Sequence, residues 1–289
     1  MSSSVSPVLV VGATGQQGGS VIRALQALQA PPTIRALSRN PNSPAAEKLK
    51  KQGIEVVKGT LADKQSLVAA LTGAGSAFLV TAMTSGKNEP TEDQLGINFV
   101  EAAKETGLPF LVFSSVSDAT PTCGIPHFET KAKVEDALKA SGIKNTIIAP
   151  VAFYDNLPQT AGFATFIAMG LFDAALQGKK LQMVAVDDIG RTAAQALASP
   201  STYANRHIKL AGESLTMEEV RQAYSRVEGR SVWKAWMPGF AVNFFPYDAK
   251  MMLKFFGKKG YSADIAGLRK EYPGLRTFEQ WLREGKKSE

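Results

Sequence analysis

The chain has a single cysteine, Cys123, and only two histidines, His127 and His207, in 289 residues. One cysteine excludes a disulfide within the chain. Its neighbours Pro121, Thr122 and Gly124 mark it as a loop residue, and the low cysteine usage suits a reducing compartment. The two histidines are far apart and have no cysteine pair beside them, so the spacing of a zinc site is missing and no metal is expected. Long hydrophobic runs are also lacking. The longest, Gly162 to Leu176, is broken by Asp173 and falls short of the roughly 20 residues that span a bilayer. Met1 to Pro7 carry no basic start of a signal peptide. The expectation is therefore a soluble protein with no membrane partner, cytoplasmic, with the nucleus as an additional compartment.

Charge of one sign is in mild excess, with 33 Lys and Arg against 26 Asp and Glu, a net +7. These cations are spread along the chain. The dense groups, Lys48 to Lys51, Lys254 to Lys259 and Lys286-Lys287, read as solvated helix faces, so no nucleic-acid partner is expected. A basic bias also suits a polyanionic small molecule.

What is present is a glycine turn in a telling place. Gly12-Ala-Thr-Gly15-Gln-Gln-Gly18-Gly19 follows the apolar run Val8 to Val11 and precedes the helical pattern Ser20 to Leu28. Strand, glycine turn and helix in that order form a dinucleotide-binding fingerprint. The turn needs residues without a Cβ, and the new helix offers free N–H groups and its positive dipole end to a pyrophosphate. The spacing is G-x-x-G-x-x-G, with the middle glycine one place later than in G-x-G-x-x-G.

Downstream, short apolar runs alternate with helical patterns. Strands are expected at Thr33–Leu37, Ile54–Val57, Ala77–Val80, Phe110–Phe113 and Asn145–Ala149, and helices at 47–52, 65–71, 91–106 and 127–140. Runs nearly continuous in Val, Ile, Leu and Phe are buried on both faces, which gives a Rossmann-type, doubly wound parallel α/β sheet. Its strand ends fall at Gly12, Ser38, Gly59, Thr81, Ser114 and Pro150, and ligands of such sheets bind at that edge. Residues 1–156 are expected to form the nucleotide-binding domain. Residues 157–289 are expected to form mainly a smaller α/β substrate or partner lobe, with the segment around 184–200 returning to the sheet. Val184 to Asp188 reads as strand-like, Asp188 as the cap of the next helix, and Thr216 with Glu219 as a capping box.

The second strand selects the cofactor. NAD-binding domains place a carboxylate about 20 residues after the glycines, whereas an arginine there accommodates a 2′-phosphate. This strand ends in Ser38-Arg39-Asn40-Pro41 with no carboxylate, which favours NADP(H).

With these residues in view, the chain resembles the NmrA-like branch of the atypical short-chain dehydrogenase/reductases over nearly its whole length. The similarity is carried by Gly12 to Ser20, Ala36 to Pro41, His127-Phe-Glu-Thr-Lys131, Pro150 to Leu157, Val186-Asp-Asp-Ile-Gly-Arg191 and Thr277 to Leu282. The resemblance implies NADP(H) held by Gly12, Thr14, Gly15, Gln16, Gln17 and Gly18, and by Ser38, Arg39 and Asn40. It extends these contacts to Thr60, Leu61, Thr81, Lys131, Pro150 and Phe153. Relatives often carry Gly-Asp after the third strand, whereas here Gly59 is followed by Thr60, and Asp63 is the nearest carboxylate.

Where the wider superfamily has Tyr-x-x-x-Lys, this chain has His127-x-x-x-Lys131, a spacing that puts both side chains on one helical face. The resemblance makes Lys131 a ribose and charge-stabilising residue, His127 a proton donor or a packing residue, and Ser114 and Ser115 groups that polarise a carbonyl or, equally, satisfy local backbone groups. It places Phe153, Tyr154 and Asn156, with His127, around the substrate; core packing is the alternative for the aromatic pair. The aromatic stretches 163–172 and 233–256 read as a pocket wall or a protein-binding surface. Two functions follow. One is an NADPH-dependent reductase of a small apolar, aromatic or conjugated carbonyl or quinone-type compound. The other is an NADP(H)-sensing regulator that acts on a protein partner without turnover.

Overall fold

The computed structural model describes residues 6–83 and 89–286; the readings made at Met1 to Val5 and at Lys287 lie outside them. In chain order the elements are β1 (Val8–Val10), α1 (Gln16–Gln26), β2 (Ile34–Ser38), α2 (Pro44–Lys51), β3 (Glu55–Lys58), α3 (Lys64–Leu71), β4 (Ser76–Val80), α4 (Glu92–Glu105), β5 (Phe110–Ser114), α5 (Pro126–Ala140) and β6 (Lys144–Pro150). They continue as β7 (Ala152–Phe153), α6 (Phe163–Leu176), β8 (Leu181–Val184), α7 (Val186–Ala198), α8 (Pro200–Tyr203), β9 (Arg206–Leu210), β10 (Glu213–Leu215), α9 (Met217–Glu228), α10 (Tyr247–Lys258), α11 (Ile265–Glu271) and α12 (Phe278–Lys286).

Two compact units divide the chain discontinuously. The first takes residues up to Cys123, His127–Ala149 and Ile189–Ile208. It is built on a sheet of order β3-β2-β1-β4-β5-β6-β9. β1 runs parallel to both β2 and β4, and the parallel register continues through β5 to β6. β1, β4 and β5 are buried almost throughout, as expected of strands covered by helices on both faces. Leu9, Leu79, Phe99, Phe113, Val134 and Leu138 belong to the core on one side. The doubly wound Rossmann-type sheet expected from the sequence is thus present. Its strand order reverses direction between β1 and β4, and sheets of this kind bind ligands outside the strand ends at such a reversal.

The second unit takes residues 124–126, 150–188 and 209–289. Its small sheet is ordered β10-β8-β7, with β8 antiparallel to β10 and parallel to β7. Tyr154, Met169, Leu176, Tyr224, Phe256 and Phe278 lie in its core. The α9 capping box is as read from the sequence: Thr216 Oγ1 accepts from the Glu219 N–H at 3.1 Å, and Glu219 Oε2 accepts from the Thr216 N–H at 2.7 Å.

The strand-like reading of Val184 to Asp188 is corrected, since β8 ends at Val184 and α7 begins at Val186. Asp188 is not a cap either. It sits inside the first turn of α7, is almost fully buried, and accepts from the Arg276 N–H at 2.9 Å and Arg276 Nη1 at 3.0 Å. Among the described residues no helix is long and apolar enough to cross a membrane.

Candidate functional site

The turn between β1 and α1 is shaped for close backbone approach. Gly12 has φ +68°, and a Cβ there would lie 2.8 Å from Val80 Cγ1. Gly15 donates its N–H to Gly12 O at 2.9 Å and caps α1 with no side chain. A Cβ on Gly18 would sit 2.2 Å from Gly12 O, so the first turn of the helix is pressed directly onto the glycine turn. The helices α2, α3 and α9 have their starts capped by Ser43, Asp63 and Thr216. α1 has neither a side-chain cap nor an acidic residue in its first turn, which leaves its leading N–H groups and positive dipole end to an outside anion. Thr14, Gly15 and Gln16 are exposed around it. These features fit a pyrophosphate.

A second part of the edge is cationic. The register pairs Ser38, at the end of β2, with Lys58, at the end of β3. Arg39 follows Ser38, and Arg39 and Lys58 are both exposed. A cavity of about 390 Å³ is lined by Arg39, Lys58, Gly59, Thr60, Asp63 and Ser66. Asp63 does not neutralise it freely, because its carboxylate accepts from the Gln65 N–H at 3.0 Å and caps α3. Asn40 Oδ1 accepts from the Asn42 N–H at 3.1 Å and shapes the loop after β2. Thr60 gives its N–H to Ser66 Oγ at 3.1 Å, and Leu61 O accepts from Asn98 Nδ2 at 3.1 Å. Two cations around one cavity suit a phosphate monoester. Lys58 was not singled out in the sequence; its signal was the alignment of parallel strand ends, which sets the last residue of β3 beside Ser38.

At the end of β4 a buried polar cluster gathers around one carboxylate. Glu92, in the first turn of α4, accepts from Thr81 Oγ1 and from Thr130 Oγ1, each at 2.8 Å. Lys131 Nζ lies 2.8 Å from Glu92 Oε1; the two side chains are 13% and 2% exposed. The same ammonium donates to Thr81 O and Thr81 Oγ1 at 3.2 Å and stands 5.9 Å from the centroid of the Phe113 ring. Lys131 is therefore a tethered cation. His127, one turn earlier on α5, is half-buried with its ring edge-on to Phe128, and its carbonyl accepts from Thr130 Oγ1 at 3.1 Å. Glu92 was missed because Glu92-Asp93 looks like ordinary first-turn acid on a helix.

Ser114, the last residue of β5, and Ser115, which follows it, diverge as strand alternation requires. Ser114 is fully buried and donates to Gln17 Oε1 at 2.6 Å, so its hydroxyl holds the first turn of α1. Ser115 donates to Glu135 Oε1 at 2.5 Å, and Glu135 also meets His207 Nε2 at 3.1 Å and Lys139 Nζ at 3.0 Å. Burial pushes the Glu135 carboxyl up, but the hydrogen bonds from His207 and Ser115 outweigh it and hold the group below its ordinary range.

In the second unit, Phe153 is half-buried and Asn156 is exposed. Tyr154 is fully buried, with its ring centroid 5.2 Å from Phe278 and 5.9 Å from Trp281. It is a core residue of this unit, and burial pushes its phenol well above the ordinary value. Pro150 is buried at the end of β6. Phe163, Trp233, Trp236, Phe240, Phe244 and Tyr247 are all strongly exposed, with Trp236 at 87%.

This fold and edge define a class. The chain matches the NmrA-like family over residues 4–282, and it belongs to that family. It is 30% identical to an NAD(P)H azoreductase of Xenophilus azovorans over 226 residues, which are 78% of this chain and 75% of that protein. Among solved structures it is similar to the triphenylmethane reductase of Citrobacter sp. complexed with NADP(H), with TM-score 0.75, 23% identity and coverage of 96% and 99%. It is also similar to NmrA, a negative transcriptional regulator, with TM-score 0.74, 22% identity and coverage of 96% and 95%.

Proposed function

We propose that the protein is an NADPH-dependent reductase acting on small apolar carbonyl or quinone-type compounds with an aromatic or conjugated frame. The observation that carries this reading is the sequence of features along the edge of one sheet: the Arg39–Lys58 cavity, the open start of α1, and the tethered Lys131. Arg39 and Lys58 would hold the 2′-phosphate, with Ser38 beside them. Gly12, Gly15 and the leading N–H groups of α1 would hold the pyrophosphate, with Ser114 fixing Gln17 behind them. Lys131 and Thr81 would hold the nicotinamide ribose. The cofactor, when bound, supplies a hydride.

Hydride transfer to a carbonyl leaves negative charge on oxygen, which calls for a nearby cation and a proton. Lys131 supplies the cation, and His127 or solvent supplies the proton. The second unit, taken by itself, exposes Trp233 and Trp236, whose flat apolar faces suit contact with a conjugated compound. The azoreductase relative supports a reductase over a regulator that merely senses the cofactor.

The test is a panel of quinones, conjugated ketones and aldehydes incubated with purified protein and NADPH while nicotinamide absorbance is followed. Oxidation that requires both protein and acceptor, and that is lost in Lys131→Met, supports the reductase. Tight NADPH binding with no oxidation across the panel overturns it.

A further inference from the structure

We infer that Glu92 is the positioning residue for Lys131: it fixes the ammonium over the end of β4, and cofactor affinity depends on it although it carries the wrong charge for a polyanionic ligand. The inference rests on the proposed contact of Lys131 with the nicotinamide half of the cofactor.

Local packing puts the two residues together. A Cβ on Gly96 would lie 2.4 Å from Val134 Cγ2, so α4 and α5 touch where Gly96 has no side chain. Residues four apart on a helix share a face. Glu92 is therefore carried on the face of α4 that holds Gly96, and Thr130 on the face of α5 that holds Val134, with Lys131 adjoining. The carboxylate then meets Thr81 Oγ1, Thr130 Oγ1 and Lys131 Nζ, each at 2.8 Å. These donors come from the residue that follows β4 and from α5, so one buried acid on α4 ties the end of that strand to two helices.

Coulomb's law and positioning make opposite predictions here. If Glu92 acted only through its charge, removing it would raise the local potential and tighten the binding of a polyanion. If it acts by holding Lys131, removing it releases a long flexible side chain and weakens binding. The 2%-exposed carboxylate and its three short contacts favour the second outcome. A merely structural role would weaken binding at both halves of the cofactor, whereas positioning of Lys131 acts on the nicotinamide half alone.

The experiment titrates wild type, Glu92→Gln, Lys131→Met and the double variant with NADPH and, separately, with 2′,5′-ADP, which probes only the adenine end. Loss of one charge-assisted contact corresponds to about 10- to 100-fold weaker NADPH binding in Glu92→Gln. Affinity for 2′,5′-ADP should stay unchanged, and the double variant should bind NADPH no worse than Lys131→Met. Unchanged or tighter NADPH binding in Glu92→Gln, or equal losses for both ligands, overturns the inference. NADPH affinity unchanged in Lys131→Met instead removes the contact on which it rests, a separate result. If Glu92→Gln does not fold, Glu92→Asp retains the charge but draws it back by one methylene, and selective loss of NADPH affinity is again expected.

Discussion

Ser114 Oγ, at the last residue of β5, donates to Gln17 Oε1 in the first turn of α1 at 2.6 Å. The bond ties the middle of the sheet to the helix whose start is offered to an anion. Ser114→Ala should lower stability by about 1 kcal/mol, as for one lost hydrogen bond. It should weaken NADPH binding several-fold and leave turnover largely intact. Thermal unfolding with steady-state kinetics checks this. A kcat loss of about 10²-fold or more would instead assign Ser114 the carbonyl-polarising role.

Arg39 and Lys58 share one cavity, so each should contribute to selection of the 2′-phosphate. Arg39→Ala and Lys58→Ala should each weaken NADPH binding by about 10- to 100-fold. NADH affinity should be almost unchanged, and NADPH binding should lose some of its salt dependence. Calorimetric titration of each variant with both nucleotides reads this out; losses of equal size for NADH would remove the assignment.

Gly18 has no room for a side chain, because the atom 2.2 Å from an added Cβ is the backbone oxygen of Gly12. Backbone of this kind cannot yield without shifting α1 away from the turn. Gly18→Ala should therefore cost about 3 kcal/mol or more and abolish NADPH binding. Denaturant unfolding measures the first effect. A variant that is as stable as wild type would contradict the packing.

Glu135 is buried, and its carboxyl is held below its ordinary value of 4.5 by bonds from His207 and Ser115 that exceed the cost of burial. A depressed carboxyl contributes stability above its unfolded value and loses it as pH falls through the lower folded value. Glu135→Gln should be less stable than wild type by about 1–3 kcal/mol at neutral pH. The gap should close progressively below about pH 4.5. Melting curves across that range test the sign; a gap that widens on acidification would refute it.

Much of the nucleotide-binding unit was readable because parallel strands covered on both faces appear as plain apolar runs. β1 to β6 all fall within a residue or two of the expected segments. The glycine turn and the Ser38-Arg39 strand end were equally legible, since both depend on local backbone and neighbouring residues. Three features were not. Lys58 depends on strand register, Glu92 on where α4 touches α5, and Asp188 on Arg276, 88 residues away. Each is a pairing across the fold with no local pattern to reveal it. Asp188 resembled a helix cap, and Glu92 an ordinary acidic first turn. Tyr154 sits within an apolar and aromatic stretch in which pocket lining and core packing look alike in sequence.

Hydride transfer itself is the most direct test. NADPH deuterated at C4, as each of its two isotopomers, is mixed with excess protein and a conjugated ketone or aldehyde, and the product is analysed by mass. The expected result is transfer of deuterium to the product from one isotopomer only, abolished in Lys131→Met. NADPH that stays bound and unoxidised, with no label in any acceptor tried, would contradict the reductase and leave a protein that holds its cofactor without using it.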